Sequence, residues 1–135
     1  MAQKEYKFLV VYLLERITDA SIYVWGADGE EKQMQYLFDY LNKKGQDGWY
    51  FMSESRHKGA IYLQKTIGEN VKYEYQVIHY IEEKTGGSLF VQRVNEYKLK
   101  ENKLLADYLN KMGEKGFYLR GELRHQLCCI IERKK

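Results

Sequence analysis

The string "DYLNKKGQDGWY" (39–50) returns as "DYLNKMGEKGFY" (107–118), sixty-eight positions further on. Continued without a gap, the match pairs 39–57 with 107–125, and eleven of these nineteen positions are identical. This repeat constrains the fold more than any other feature, because a unit written twice should fold the same way twice. With two copies, the simplest arrangement is a pair of similar units packed together.

Towards the N-terminus, "VVYLLER" (10–16) aligns with "IHYIEEK" (78–84), which puts Val11 opposite His79. "SIYV" (21–24) aligns with "SLFV" (88–91) once a residue is dropped in the turn, and a further one-residue shift precedes the helix. The repeats divide as 1–68 and 69–135, with "TIGEN" (66–70) as a short linker.

Each half reads alike. "YKFLVVYLLE" (6–15) is apolar on both faces, which predicts a strand covered on both sides, whereas "YEYQVIHYIE" (73–82) alternates more. A turn and a second strand follow, at 21–25 or 88–94. Met34, Leu37, Phe38 and Leu41 recur at helical spacing, as do Leu105, Tyr108, Leu109 and Met112, predicting helices over 30–44 and 99–112. Gly45 and Gly113 read as left-handed caps. Asn42 and Asn110, in the last helical turn, are placed to bond backbone carbonyls or the next loop. Third strands at 49–56 and 117–124 and fourth strands at 60–65 and 128–133 complete each unit. The expected fold is α+β: tandem strand-strand-helix-strand-strand repeats with four-stranded antiparallel sheets, forming an intramolecular pseudo-dimer.

"YLNKKGQDGWYFM" and the opening "EYKFLVV" (5–11) resemble the bacterial family called domain of unknown function 4177, with its leucine-asparagine, spaced-glycine and glycine-tryptophan signature. The second half departs from it at Phe117 and at "YEYQVI". The resemblance implies tandem copies of a unit that the family holds singly. It implies no established activity, so it transfers no catalytic residues.

Composition narrows the function classes. Of 135 residues, 44% are hydrophobic and 30% charged, which suits a packed domain. The net charge of +3 is small for a dedicated nucleic-acid binder, although the second half carries 13 basic against 10 acidic residues. Neither a membrane-spanning run nor a secretory signal is evident, and a soluble cytoplasmic protein is expected. Cys128 and Cys129 are adjacent; strand neighbours point to opposite faces, so two reduced thiols are expected rather than a disulfide. His57, His79 and His125 lack zinc spacing, and neither a phosphate loop nor a nucleophile elbow occurs. No metal or other cofactor is expected.

Alternation on the third strand places Tyr50, Glu54 and Arg56 on one face with His57 at its end, and Tyr118, Glu122, Arg124 and His125 repeat the set. Arginine offers a fork for phosphate or carboxylate, tyrosine a stacking ring, and histidine a proton carrier. These eight residues form the candidate ligand site, as two equivalent sets or as one site on a pseudo-twofold axis. The plainer reading is cross-strand ion pairing and packing between halves. The leading expectation is a non-enzymatic binding or interaction module for an anionic small molecule, a nucleotide or a protein, with self-association left open. The alternatives are an enzyme on a phosphorylated or nucleotide substrate, with Glu54/His57 and Glu122/His125 as acid and base, and a nucleic-acid binder.

Overall fold

A computed structural model describes residues 3–15, 21–56, 59–83, 86–123 and 127–135. In chain order these form β1 (Tyr6–Glu15), β2 (Ile22–Ala27), β3 (Gln35–Tyr36), α1 (Leu37–Gln46), β4 (Trp49–Glu54) and β5 (Ala60–Thr66). The second half repeats the order with β6 (Tyr73–Glu82), β7 (Leu89–Val94), β8 (Tyr97–Leu104), α2 (Leu105–Glu114), β9 (Tyr118–Leu123) and β10 (Cys128–Lys134). Two separate antiparallel sheets result, ordered β3-β2-β1-β5-β4 and β8-β7-β6-β10-β9. The α+β pseudo-dimer of strand-strand-helix-strand-strand halves is thus present, with one strand more per sheet than the four expected.

The extra strands take residues assigned above to helix. "YKLKENKL" alternates apolar and charged residues through Tyr97, Lys98, Leu99 and Lys100, which is strand rather than helix periodicity. Asn95, at φ 56, turns the chain tightly between Val94 and their partner Tyr97. The lysines sit on a sheet edge, where charge discourages pairing with other chains. In the first half, β3 is only two residues long and Met34 lies before the helix, 51% exposed.

The helices also run past the expected caps. Gly45 and Gly113 lie inside α1 and α2, and the left-handed positions are Gly48 (φ 89) and Gly116 (φ 93). The amides of Asp47 and Gly48 bond the carbonyls of Lys44 and Gly45, tightening the last turn before the chain drops onto β4.

Strand pairing corrects the alignment of the two halves. Val11 pairs with Ala27 and Leu13 with Val24; Ile78 pairs with Val94 and Tyr80 with Val91, each residue sixty-seven positions on (11 to 78, 27 to 94). Tyr23 pairs with Tyr36, and Phe90 with Leu104, so the spacing becomes sixty-eight (36 to 104) by the start of the helix. There is one shift, between β2 and the helix, and the counterpart of His79 is Tyr12, not Val11. Tyr73 and Tyr75 accordingly correspond to Tyr6 and Phe8.

Two clusters of buried residues show how the halves stack. Val11, Val24, Ile61 and Leu63 of the first sheet join Leu37, Tyr40 and Leu41 of α1. The same cluster continues into Tyr73, Tyr75, Val77, Cys128 and Ile130 on one face of the second sheet. The opposite face of that sheet, with Ile78, Tyr80, Val91, Cys129 and Ile131, packs on Tyr108 and Met112 of α2. Hence α1 packs against both sheets, whereas α2 makes its contacts with β7, β8 and β9 of its own half. The joint is heterologous rather than twofold: a helix of one unit meets a sheet of the next, and the exchange is not reciprocated.

This asymmetry reverses the expectation for the first strands. β6 is buried on both faces over most of its length. β1, written apolar on both faces, is covered on one only, leaving Tyr6 46% and Phe8 65% exposed.

Gly45 is fixed by the joint. A Cβ there would lie 2.2 Å from the carbonyl oxygen of Tyr73, whereas a Cβ on Gly113 would meet nothing within 4 Å. The two Gly→Ala changes should therefore have opposite signs. Gly45→Ala is expected to destabilise by about 1–3 kcal/mol through overpacking, and Gly113→Ala to stabilise by up to about 1 kcal/mol through helix propensity. Denaturant unfolding at low protein concentration measures both.

Candidate functional site

A bulge divides the predicted site in each half. Tyr50 stands opposite Gln64 and Glu54 opposite Ile61, with the register slipping between Phe51 and Ser53. Gln64 and Ile61 lie three apart on β5 and so face opposite ways, which puts Tyr50 and Glu54 on different faces. Likewise Tyr118 stands opposite Glu132 and Glu122 opposite Cys129. The shared face expected for Tyr50 with Glu54, and for Tyr118 with Glu122, is therefore not formed. Strict period two fails where one strand carries an extra residue, here Met52 or Arg120. Arg56 is exposed just past β4. His57, Arg124 and His125 lie outside the described residues.

The side chains on the two faces are engaged differently. The Tyr80 hydroxyl donates to Glu122 at 2.9 Å, on the face that carries α2. Glu54 is half-buried beside Ile61. The two tyrosines, by contrast, are brought to the seam between the halves. Tyr50 shares hydrogen bonds with Thr66 (3.1 Å) and Gln64 (2.5 Å), and its ring lies 5.4 Å from that of Tyr73. Tyr118 donates to the carboxylate of Glu132.

Glu132 is the centre of this seam. It is 2% exposed, and it also accepts the Tyr75 hydroxyl at 2.5 Å. The Tyr75 oxygen in turn accepts the Phe51 amide at 2.9 Å, across the boundary between halves. Arg120, the bulged residue, sends Nε to the Phe51 carbonyl at 2.6 Å and lies 3.8 Å from Glu132. Its guanidinium also sits 5.7 Å from the centre of the Tyr50 ring. A buried carboxylate persists only when paired and hydrogen-bonded, and here two hydroxyls and an arginine do so. The arrangement ties β4 to β9 and engages Tyr118 and Arg120 within the protein.

The second tie is a side-chain amide. Asn42 of α1 accepts the Tyr75 N–H through Oδ1 at 2.7 Å and donates Nδ2 to the Tyr75 carbonyl at 3.1 Å. It also donates to the carbonyl of Phe38, one turn back, at 2.8 Å. Bonding to carbonyls was legible from its place in the last turn; that the carbonyl and amide belong to β6 was not. Sequence reasoning also missed Tyr75, Arg120 and Glu132. The available signal was a lone acid directly after the apolar run "CCII".

Other candidates behave as core. Cys128 and Cys129 are free thiols that belong to different clusters, hence to opposite faces. Burial raises both, Cys129 to about 12, so neither is a ready nucleophile at neutral pH. His79 is buried, as its mid-strand place implied. A small concavity beside α1 is lined by Glu30, Tyr40 and Lys44, and these pair with one another: Lys44 to Glu30 at 2.7 Å and Tyr40 to Glu30 at 2.8 Å. Among the described residues, no group of three or more His, Cys, Asp or Glu could hold a metal ion.

Burial, followed by the negative charge of Glu132, raises the Tyr75 hydroxyl far above its ordinary value of 10.0. Burial and the hydrogen bond to Glu132 likewise raise Tyr118. A raised folded-state value means that their contribution to stability is complete below about pH 10, the unfolded value. It is then lost progressively as the pH climbs towards the folded-state values. Stability should therefore hold level through neutral pH and fall above about pH 10. The tyrosinate absorbance of Tyr75 and Tyr118 should develop only with unfolding, which single Tyr→Phe variants assign.

Comparison of the chain with protein-family models, curated proteins and solved structures finds no match.

Proposed function

We propose that this protein is a non-enzymatic interaction module whose working surface is the outer face of the first sheet. What supports this reading is the uncovered apolar side of β1. Phe8 is 65% exposed, Tyr6 46% and Tyr62 40%, and Tyr62 stands opposite Val10, the next residue after Phe8 on that face of β1. Nearby, the rings of Tyr12 and Trp25 lie 5.4 Å apart, and the Lys32 ammonium sits 5.1 Å from the Trp25 ring. A contiguous exposed apolar patch with a polar rim is characteristic of protein contact surfaces. The acid–base reading of Glu54/His57 and Glu122/His125 has less support, because Glu122 is engaged by Tyr80. Among the described residues, no helix is long and apolar enough to cross a membrane.

A thermal-shift panel of nucleotides, sugar phosphates and acidic metabolites tests the choice. The melting temperature is expected to stay unchanged across the panel. A stabilising compound whose effect disappears in both Arg56→Ala and Arg124→Ala would overturn this reading in favour of a paired anion site.

A further inference from the structure

We propose that a second copy of this chain docks its β1 face onto α2, repeating between molecules the joint that α1 and β6 make within one. This rests on the interaction-module reading and names the partner. The internal joint serves as the template. Its helix side consists of Phe38, Leu41, Asn42 and Gly45, with Asn42 bonded to both backbone groups of Tyr75 and Gly45 lying against the Tyr73 carbonyl.

Both sides of that joint exist a second time and are uncovered. On α2, the same positions are Ala106, Leu109, Asn110 and Gly113, and Asn110 and Gly113 are exposed. Leu109 and Ala106 line a shallow apolar hollow with Leu89, Leu104 and Leu105. On the strand side, Tyr6 and Phe8 take the places of Tyr73 and Tyr75. Phe8 stands opposite Gln64 as Tyr75 stands opposite Glu132. β2 begins pairing only at Val11, as β7 does at Ile78, so the backbone of Phe8 faces the same open edge that Asn42 fills at Tyr75.

Both helices carry the same Asn and Gly pair, Asn42 and Gly45 in α1 and Asn110 and Gly113 in α2. Asn42 and Gly45 have work inside the chain; Asn110 and Gly113 meet no such partner among the described residues, and a helix-interior glycine is otherwise a liability. Docking α2 on β1 of another copy gives both the same work and covers the aromatic face of the first sheet. Because the contact joins unlike surfaces, each added chain presents a fresh pair. The product is an open row or a closed ring, not a twofold dimer.

Sedimentation velocity over a concentration series tests this. The wild type should show mass rising with concentration beyond the dimer, or a plateau at a ring. Gly113→Ala, whose new methyl would meet the Tyr6 backbone of the neighbour, should weaken association about tenfold or more while the fold stays intact by circular dichroism. Phe8→Lys should do the same from the other side. An equimolar mixture of the two variants should form a one-to-one complex, since each supplies the surface that the other lacks. A wild type that is monomeric at every concentration would overturn the proposal, as would association unchanged by both substitutions or a mixture that stays monomeric. A monomer would leave the broader module reading to the ligand panel, so the two can fail separately.

Discussion

The fold depends on one side-chain amide laid along one strand edge. Asn42 gives the backbone of Tyr75 the donor and acceptor that a neighbouring strand would have given. Buried backbone groups must be satisfied, and β7 begins too late along β6 to serve this residue. For the amide to reach, the helix must approach closely, and Gly45 permits that approach over Tyr73. Tyr75 is then held at both ends, its backbone by α1 and its hydroxyl by Glu132 and the Phe51 amide. One buried cluster consequently runs through both halves.

The same contact explains why the two halves differ although their topology does not. β6 is buried on both faces because α1 of the first half covers one and α2 of its own half the other, whereas β1 has a helix on one face only. Differences in sequence follow the difference in surroundings. Glu132, buried at the seam, corresponds to Gln64; Arg120, bridging the seam, corresponds to Met52, which is 40% exposed. A module that works by stacking unlike faces would keep its end surfaces competent, and the aromatic side of β1 and the Asn110–Gly113 side of α2 are of that kind.

Much of the architecture was legible in the residues. The long strands at 6–15 and 73–82 were placed to the residue, because continuous apolar and aromatic patterning marks them. The helix stripes of Leu37 and Leu41, and of Tyr108 and Met112, also point inward as their spacing requires. The helices begin later than the spacing predicts: Tyr97 to Lys100 alternate as a strand does, and Met34 fits the stripe of Leu37, Phe38 and Leu41 by spacing but precedes the helix. The candidate site was less legible. A bulge leaves no mark in single-strand periodicity, so Tyr50 and Glu54 looked like neighbours until the pairing of β4 with β5 was known. Gly45 reads as a cap in the sequence because position alone does not separate a turning glycine from one that admits a neighbouring backbone.

Tyr75 is held by α1 within the chain, whereas on the proposed assembly the backbone of its counterpart Phe8 is held only by a neighbouring molecule. Residue-resolved amide hydrogen exchange at high dilution measures this directly. The Tyr75 amide should exchange only through global unfolding, and the Phe8 amide should exchange orders of magnitude faster, slowing as protein concentration rises. Equal protection of the two at high dilution, or rapid exchange at Tyr75, would contradict the account.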